Sequence, residues 1–190
     1  DLRRELADLL DFLAQEHQRN RVSVVRELGR EGVWVDADAG QLRQAVLNLL
    51  RNAQEAVLEH ADGALGGSDL GDLLDDLDQA PGGADASAVG AVGTITVSLT
   101  CKKGAASVFV TDSGGGIPTP EGGDLDQIFE AFVTSKAHGT GLGLPMVQQI
   151  AVDHGGGVRL LETGPQGTRF EFRLPACDPP APSVSSPNSA

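Results

Sequence analysis

The feature that most constrains this chain is a pair of alternating segments in GTITVSLTCKKGAASVFVTD, residues 93–112. Apolar and polar side chains alternate on both sides of a Lys-Gly turn, which predicts two antiparallel β-strands that bury one face. A half-buried sheet needs a second layer to cover it. The rest of the chain must therefore supply helices with an apolar stripe.

Several segments have the required helical spacing. In residues 36–60 an apolar stripe follows Asp38, whose carboxylate can accept the first free amide hydrogens, and the segment predicts a long helix. The stripe consists of Leu42, Val46, Leu49, Ala53 and Val57. The same helical spacing predicts three more helices, in residues 1–19, 125–133 and 141–156.

Two further pairs of segments are rich in β-branched residues. This composition predicts a first hairpin formed by residues 21–28 and 33–37. It predicts a last hairpin formed by residues 157–162 and 167–175. Strand pairs separated by helices predict a two-layer α/β sandwich, with one mixed, mostly antiparallel sheet covered by helices on one face.

The chain divides by composition into one domain and its appendages. We expect a globular domain in residues 20–175, interrupted by an acidic insertion at about 59–92, which contains no Lys or Arg. The insertion reads as a solvated segment or, alternatively, as one that carries a partner-binding helix. Residues 176–190 are rich in Pro and Ser and are expected to be disordered.

Charge and composition exclude several function classes. A net charge of -13, with six Phe, one Trp and no Tyr, argues against nucleic acid as a partner. No apolar run is long enough to span a bilayer. The spacing of Cys101 and Cys177 matches neither a zinc site nor a redox motif, so we expect free thiols in the cytoplasm.

Three polar motifs suggest chemistry. Asn48 and Asn52 lie on one helical stripe, where amide oxygens can ligate Mg²⁺, although ordinary surface amides would have the same spacing. Asp112 ends an apolar strand as an acceptor that suits an amino group such as that of adenine, and Gly114 and Gly116 allow close ligand approach. The alternative is a glycine-rich surface turn.

The third motif is HGTGLGLPMV, residues 138–147, in which glycines lead directly into a helix. Free backbone N–H groups and the positive end of the helix dipole suit phosphates there, and Lys136 lies just upstream. A tight loop would explain the same glycines.

In combination and order, the motifs resemble a known superfamily. NLLRNAQEA, DSGGGIP, IFEAFVTSK, GTGLGLPMV and GTRFEFRLP are similar to the N, G1, F, G2 and G3 boxes of the GHKL ATPases. The chain most resembles the catalytic and ATP-binding domain of bacterial two-component sensor histidine kinases, of the short-lid, nitrogen-sensor type. The resemblance implies the Bergerat fold and a bound ATP·Mg²⁺.

Carried over by position, the resemblance implies a set of ATP-binding residues. Asn52 would ligate Mg²⁺, Asn48 and Lys136 would act in catalysis, and Asp112 would bind adenine with help from Thr168 through a water. Phe129 and Phe132 would anchor the lid. The full nucleotide-binding set is Asn48, Asn52, Asp112, Gly114, Gly116, Ile117, Lys136, Gly139, Thr140, Gly141, Leu142, Gly143, Leu144 and Thr168.

The resemblance also implies a reaction. Hydrolytic superfamily members carry Glu at the position of Asn48, and an amide cannot act as a general base, which favours phosphoryl transfer to histidine over hydrolysis. His17 lacks the usual acceptor context and is predicted to be a surface residue, and His154 is predicted to cap a helix.

The expected phosphoacceptor lies on a dimerisation domain outside this chain. Residues 1–19 would be the end of a dimerisation-type helix and a linker, and the chain alone would lack an acceptor. The parent protein is expected to be a homodimer that signals to a response regulator. The alternatives are an anti-sigma-factor type serine kinase and a nucleotide-sensing module without transfer chemistry.

Overall fold

The computed structural model describes residues 1–64, 90–118, 125–130 and 141–179. Its helices are α1 (Leu2–Arg19), α2 (Ala39–Ala64) and α3 (Gly143–Asp153), with a 3-10 helix at Leu125–Phe129. Its strands are β1 (Val22–Glu27), β2 (Trp34–Val35), β3 (Gly93–Lys102), β4 (Ala105–Asp112), β5 (Gly157–Gly164) and β6 (Gly167–Cys177). Residues 65–89 and 180–190, which hold most of the predicted insertion and tail, lie outside the described residues.

The six strands form one mixed sheet. β1 runs parallel to β3, whereas the β3–β4, β4–β6 and β5–β6 pairs are antiparallel, and β2 pairs with the C-terminal end of β6. The turn between β3 and β4 has positive φ at both Lys103 and Gly104, as a tight hairpin turn requires. The predicted sandwich and two of its hairpins are confirmed.

The first predicted hairpin is wrong. β1 pairs with β3 from Val22↔Gly93 to Glu27↔Ser98, while β2 pairs with β6. The two strands therefore lie at opposite edges of the sheet. The alternation of Val22 and Val24 correctly marked a half-buried strand. It could not identify the partner, because a parallel partner is brought in from a distant part of the chain.

Helix α2 holds the layers together. Its buried side chains, among them Val46, Leu50 and Ala53, belong to the same core as Ile95 and Val108 of the sheet. The Oδ1 atom of Asp38 accepts a hydrogen bond of 2.8 Å from the N–H of Gln41, which confirms the predicted N-cap.

The opposite face of the sheet is polar. There Glu171, only 7% exposed, accepts a hydrogen bond from Ser107 (2.8 Å) and forms an ion pair with Arg159. The guanidinium of Arg169 lies 4.9 Å from the ring centroid of Phe109 on the same side. The apolar core is therefore confined to the helical face, as the alternation predicted.

Helix α1 is part of this core rather than a stub that projects from it. It contributes Leu2, Leu6, Leu9, Leu10 and Leu13, and the N–H of Leu2 donates to the carbonyl of Val33 at 2.7 Å. The folded unit therefore includes residues 1–19 and extends to Cys177 at the end of β6. The relation of α1 to a dimerisation helix stays a prediction.

The structure also bears on the cysteines and on membrane-spanning helices. Cys101 and Cys177 are exposed free thiols, as predicted. No helix within the described part of the chain is long and apolar enough to cross a bilayer.

His17 is not the surface residue that the sequence suggested. It lies on the inner side of α1 and is only 4% exposed. Burial lowers the pKa of its imidazole from the ordinary value of 6.5, the Glu16 carboxylate opposes this shift, and the Arg26 guanidinium adds to it. His17 continues the buried stripe of Leu10 and Leu13 at helical spacing. Its polar side chain and its polar sequence neighbours, Glu16 and Gln18, suggested a surface position instead.

The buried imidazole makes the stability of the domain depend on pH. Below about pH 6.5 the unfolded chain protonates His17 while the folded chain resists protonation, so the free energy of unfolding falls as the pH falls. In His17→Leu this contribution disappears. Urea unfolding of both proteins between about pH 8 and about pH 5 would test this, and parallel pH curves would contradict it.

Candidate functional site

One face of α2 carries the residues around which the candidate site is built. Asn48, Asn52 and Ala56 follow each other at four-residue intervals, so they lie on one stripe of the helix. Both asparagines are half-buried at the border of the apolar face. The stripe has two neighbours, the start of α3 and the loop that follows β4.

The start of α3 faces the two asparagines. A Cβ atom built on Gly143 would lie 3.9 Å from Oδ1 of Asn52 and 4.0 Å from Oδ1 of Asn48. The residue at the N-cap position, Leu142, makes no side-chain capping hydrogen bond, and Gly141 before it has a φ of 64°. The positive end of the α3 dipole therefore lies beside two amide oxygens.

Helix α3 is tied to α2 at its other end as well. His154, the C-cap residue, contacts the carbonyl oxygen of Ile150 through Nδ1 at 2.7 Å. Its Nε2 accepts a hydrogen bond of 3.1 Å from the N–H of Asp38. This pattern places the imidazole proton on Nδ1 and confirms the predicted capping role.

Asp112 is the buried acid of the site. It ends β4, is 6% exposed, and its Oδ1 accepts hydrogen bonds from the N–H groups of Gly114 (2.8 Å) and Thr168 (3.2 Å). Thr168 is itself 3% exposed and lies opposite Asp112 in the β4–β6 pair. Backbone donors from two segments therefore fix the orientation of this carboxylate.

The loop after Asp112 packs between α2 and the turn that joins β5 to β6. A Cβ on Gly114 would lie 2.7 Å from the backbone of Ala56, and a Cβ on Gly116, at φ 82°, would lie 2.4 Å from the carbonyl oxygen of Gly164. The N–H of Ile117 donates to Oγ1 of Thr163 at 2.7 Å. The glycines here serve close contact with the backbones of Ala56 and Gly164, so this loop packs against other segments. Their approach to a ligand stays a prediction.

The sequence-predicted residues thus form two groups joined by α2. Asn48 and Asn52 meet the start of α3, where Gly141, Leu142, Gly143 and Leu144 lie. The loop group consists of Asp112, Gly114, Gly116, Ile117 and Thr168.

The remaining predicted residues divide between the core and the part of the chain that is not described. Phe129 is buried and packs edge-on against Phe170, with ring centroids 6.3 Å apart. Lys136, Gly139 and Thr140, as well as Phe132, lie outside the described residues.

Sequence reasoning missed some contributors. Thr163 holds the loop through Ile117, and a Cβ on Gly167 would overlap the carbonyl oxygen of Asp112 at 1.8 Å. The glycine that opens GTRFEFRLP was the available signal for Gly167. Thr163 had none, because its role depends on the pairing of β5 with β6.

The side chains that face the start of α3 and could ligate a metal ion are the neutral amides of Asn48 and Asn52. Within the described residues no group of three or more His, Cys, Asp or Glu side chains is placed to hold a metal ion. The amide oxygens of Asn48 and Asn52 are hard donors that suit Mg²⁺ when a charged ligand completes the coordination. The donor set therefore fits a Mg²⁺ ion that enters together with a phosphate.

Comparison with known proteins gives one family and consistent relatives. Residues 37–178 match the family described as histidine kinase-, DNA gyrase B- and HSP90-like ATPases. The sensor histidine kinase ZraS of Escherichia coli O157:H7 is 30% identical over 141 residues, which cover 74% of this chain and 23% of that protein. The sensory histidine kinase/phosphatase NtrB of Rhizobium leguminosarum bv. phaseoli is 34% identical over 167 residues, which cover 88% of this chain and 38% of NtrB.

A solved structure extends the likeness to the fold. The catalytic domain of the histidine kinase ThkA has a TM-score of 0.65 to this chain at 25% identity, and the match covers 92% of this chain and 94% of that one. The chain thus corresponds to nearly the whole of a catalytic domain, but to less than two fifths of the length of ZraS and NtrB.

The close packing of the loop after Asp112 yields a prediction about glycine. Gly116→Ala should lower the free energy of unfolding by about 1–3 kcal/mol, because alanine is strained at positive φ and its methyl group meets the Gly164 backbone. The matched control is Gly115→Ala, whose methyl group would first meet the His60 side chain, at 3.1 Å; it should cost less than about 1 kcal/mol. Urea unfolding measures both, and equal losses would contradict this close packing.

Proposed function

The chain belongs to the family of histidine kinase-, DNA gyrase B- and HSP90-like ATPases, and on that premise we propose that it is the ATP-binding catalytic domain of a sensor histidine kinase. It transfers the γ-phosphoryl group of ATP to a histidine on a dimerisation domain. The observation that carries the proposal is the α2 stripe. Its Asn48 and Asn52 meet the N-terminus of α3, and its Ala56 contacts Gly114 in the loop that follows the buried Asp112 carboxylate.

The two groups of residues suit the two ends of ATP. The Asp112 carboxylate can accept a hydrogen bond from the adenine amino group while Gly114 and Thr168 hold it in place. The N-terminus of α3 and the glycines before it suit the phosphates. Lys136, Gly139 and Thr140 complete the phosphate contacts in this proposal.

Asn48 and Asn52 would hold Mg²⁺ together with the phosphates. The bound ion supplies charge neutralisation for the transferring group. The side chains of this chain orient the nucleotide, and their contribution to the rate is positioning. Because Asn48 is an amide, it cannot take a proton from an attacking water, so the site favours transfer to a protein side chain over hydrolysis.

The partners follow from the reaction. The acceptor is a histidine-containing dimerisation domain of the same homodimeric protein, and the phosphoryl group then passes to a response regulator. We place the domain in the cytoplasm, where ATP is abundant. The exposed thiols of Cys101 and Cys177 fit that reducing compartment.

Asp112→Asn tests the adenine assignment. The amide keeps an oxygen for Gly114 and Thr168 but loses the charge and gains a donor, so ATP affinity should fall by about tenfold to a hundredfold. The wild type should also prefer ATP to GTP, which has a carbonyl in place of the amino group. Calorimetry on both nucleotides measures this, with Asp153→Asn as the charge-matched control on α3. Normal ATP affinity in Asp112→Asn would contradict the assignment.

Phosphotransfer itself is tested with a separately produced acceptor. The wild-type chain is mixed with γ-labelled ATP, Mg²⁺ and a dimerisation domain that carries a phosphorylatable histidine. We expect acid-labile label on that histidine and none with Asn52→Ala. Label on a serine of a partner would support the serine-kinase alternative, and tight ATP binding without any transfer would support a sensing module.

A further inference from the structure

The only methionine of the chain lies against the asparagine stripe. Met146 is in the first turn of α3, and its Sδ atom accepts hydrogen bonds from Nε2 of Gln44 at 2.9 Å and from Nδ2 of Asn48 at 3.5 Å. Neither Met146 nor Gln44 belongs to the set of nucleotide ligands implied by sequence. Their contact with Asn48 nevertheless reaches directly into the site.

The sulfur can bind only one of the two polar atoms of the Asn48 amide, the nitrogen. A thioether is a weak acceptor and has no hydrogen to donate, so it can bind the NH₂ group of an asparagine but not its oxygen. With Nδ2 directed at the sulfur, Oδ1 is the atom that lies 4.0 Å from the Cβ position of Gly143. Rotating the amide by half a turn would break the sulfur contact and present the NH₂ group there instead.

The thioether is held in place on two sides. Gln44, one helical turn before Asn48 on α2, binds it from the solvent side. The N–H of Met146 donates to the carbonyl of Leu142 at 3.1 Å, and the next residue, Val147, is fully buried. The sulfur is therefore contacted by two amides of α2 while α3 holds the Met146 backbone, and the side chain as a whole is 38% exposed.

From this geometry we infer that Met146 is a positioning residue that keeps the carbonyl oxygen of Asn48 turned toward the metal and phosphate end of the site. The inference rests on the proposed function. An amide oxygen there supports a cation, whereas an NH₂ group would repel the cation and favour a bare phosphate. Met146 therefore favours nucleotide bound with Mg²⁺ over nucleotide without it.

The test replaces the sulfur and retains the packing. In Met146→Leu, the Mg²⁺ concentration that half-saturates nucleotide binding should rise about threefold to tenfold, as for loss of a residue that orients a metal ligand. Nucleotide affinity in EDTA and the melting temperature should not change. Calorimetry with a non-hydrolysable ATP analogue across a Mg²⁺ series gives both affinities.

A second variant removes any doubt about shape. Biosynthetic replacement of Met146 by norleucine exchanges only the sulfur for a methylene group, and it affects no other side chain because the sequence has a single Met. It should reproduce the Met146→Leu result. Val152→Leu, at an exposed position near the end of α3, is the matched control and should behave as wild type.

The outcomes separate this inference from the function on which it rests. If the wild type shows no Mg²⁺-dependent nucleotide binding, the proposed function fails and the inference fails with it. If the wild type binds with Mg²⁺ dependence and the leucine and norleucine proteins match it, only the role of Met146 is overturned. An equal loss of affinity with and without Mg²⁺ would also overturn it, since that result indicates a packing effect.

Discussion

The structure depends on the packing of α2 against the sheet, in a single helical layer in which α1 and α3 also contact strands. Val46, Leu50 and Ala53 point into the core on one side, while Asn48 and Asn52 lie at its edge. The helical periodicity places every third or fourth residue in the core. It also places the polar stripe beside the start of α3 and the loop after β4. Stability and ligand geometry therefore rest on one helix, and a shift of α2 would change both.

Much of this was readable in the sequence because the signals are local. The Asp38 cap, the apolar stripe of α2 and the turn at Lys103 and Gly104 each depend on residues within a few positions of one another. The positions of Asn48, Asn52 and Asp112 on their elements followed from the same periodicities. The order of the motifs then predicted that the two groups belong to one site.

The features that the sequence did not reveal depend on distant contacts. The partner of β1 is more than sixty residues away, and the burial of His17 requires α1 to pack against the rest of the core. Met146 has no signal of a role in the site in the sequence, because its contact with Asn48 exists only when α3 packs against α2. Local patterns describe what an element is, but they do not say which atoms of two elements meet.

The parallel pairing of β1 with β3 explains why a long acidic segment is tolerated between α2 and β3. Pairing these strands already requires the chain to close a loop that includes β2 and all of α2. The entropy cost of such closure grows only with the logarithm of the loop length, so doubling a loop costs about 0.6 kcal/mol. The junction before β3 is thus a place where evolution can lengthen the chain at little thermodynamic expense, though assembly of the edge strand becomes slower as the contacting residues move further apart in sequence.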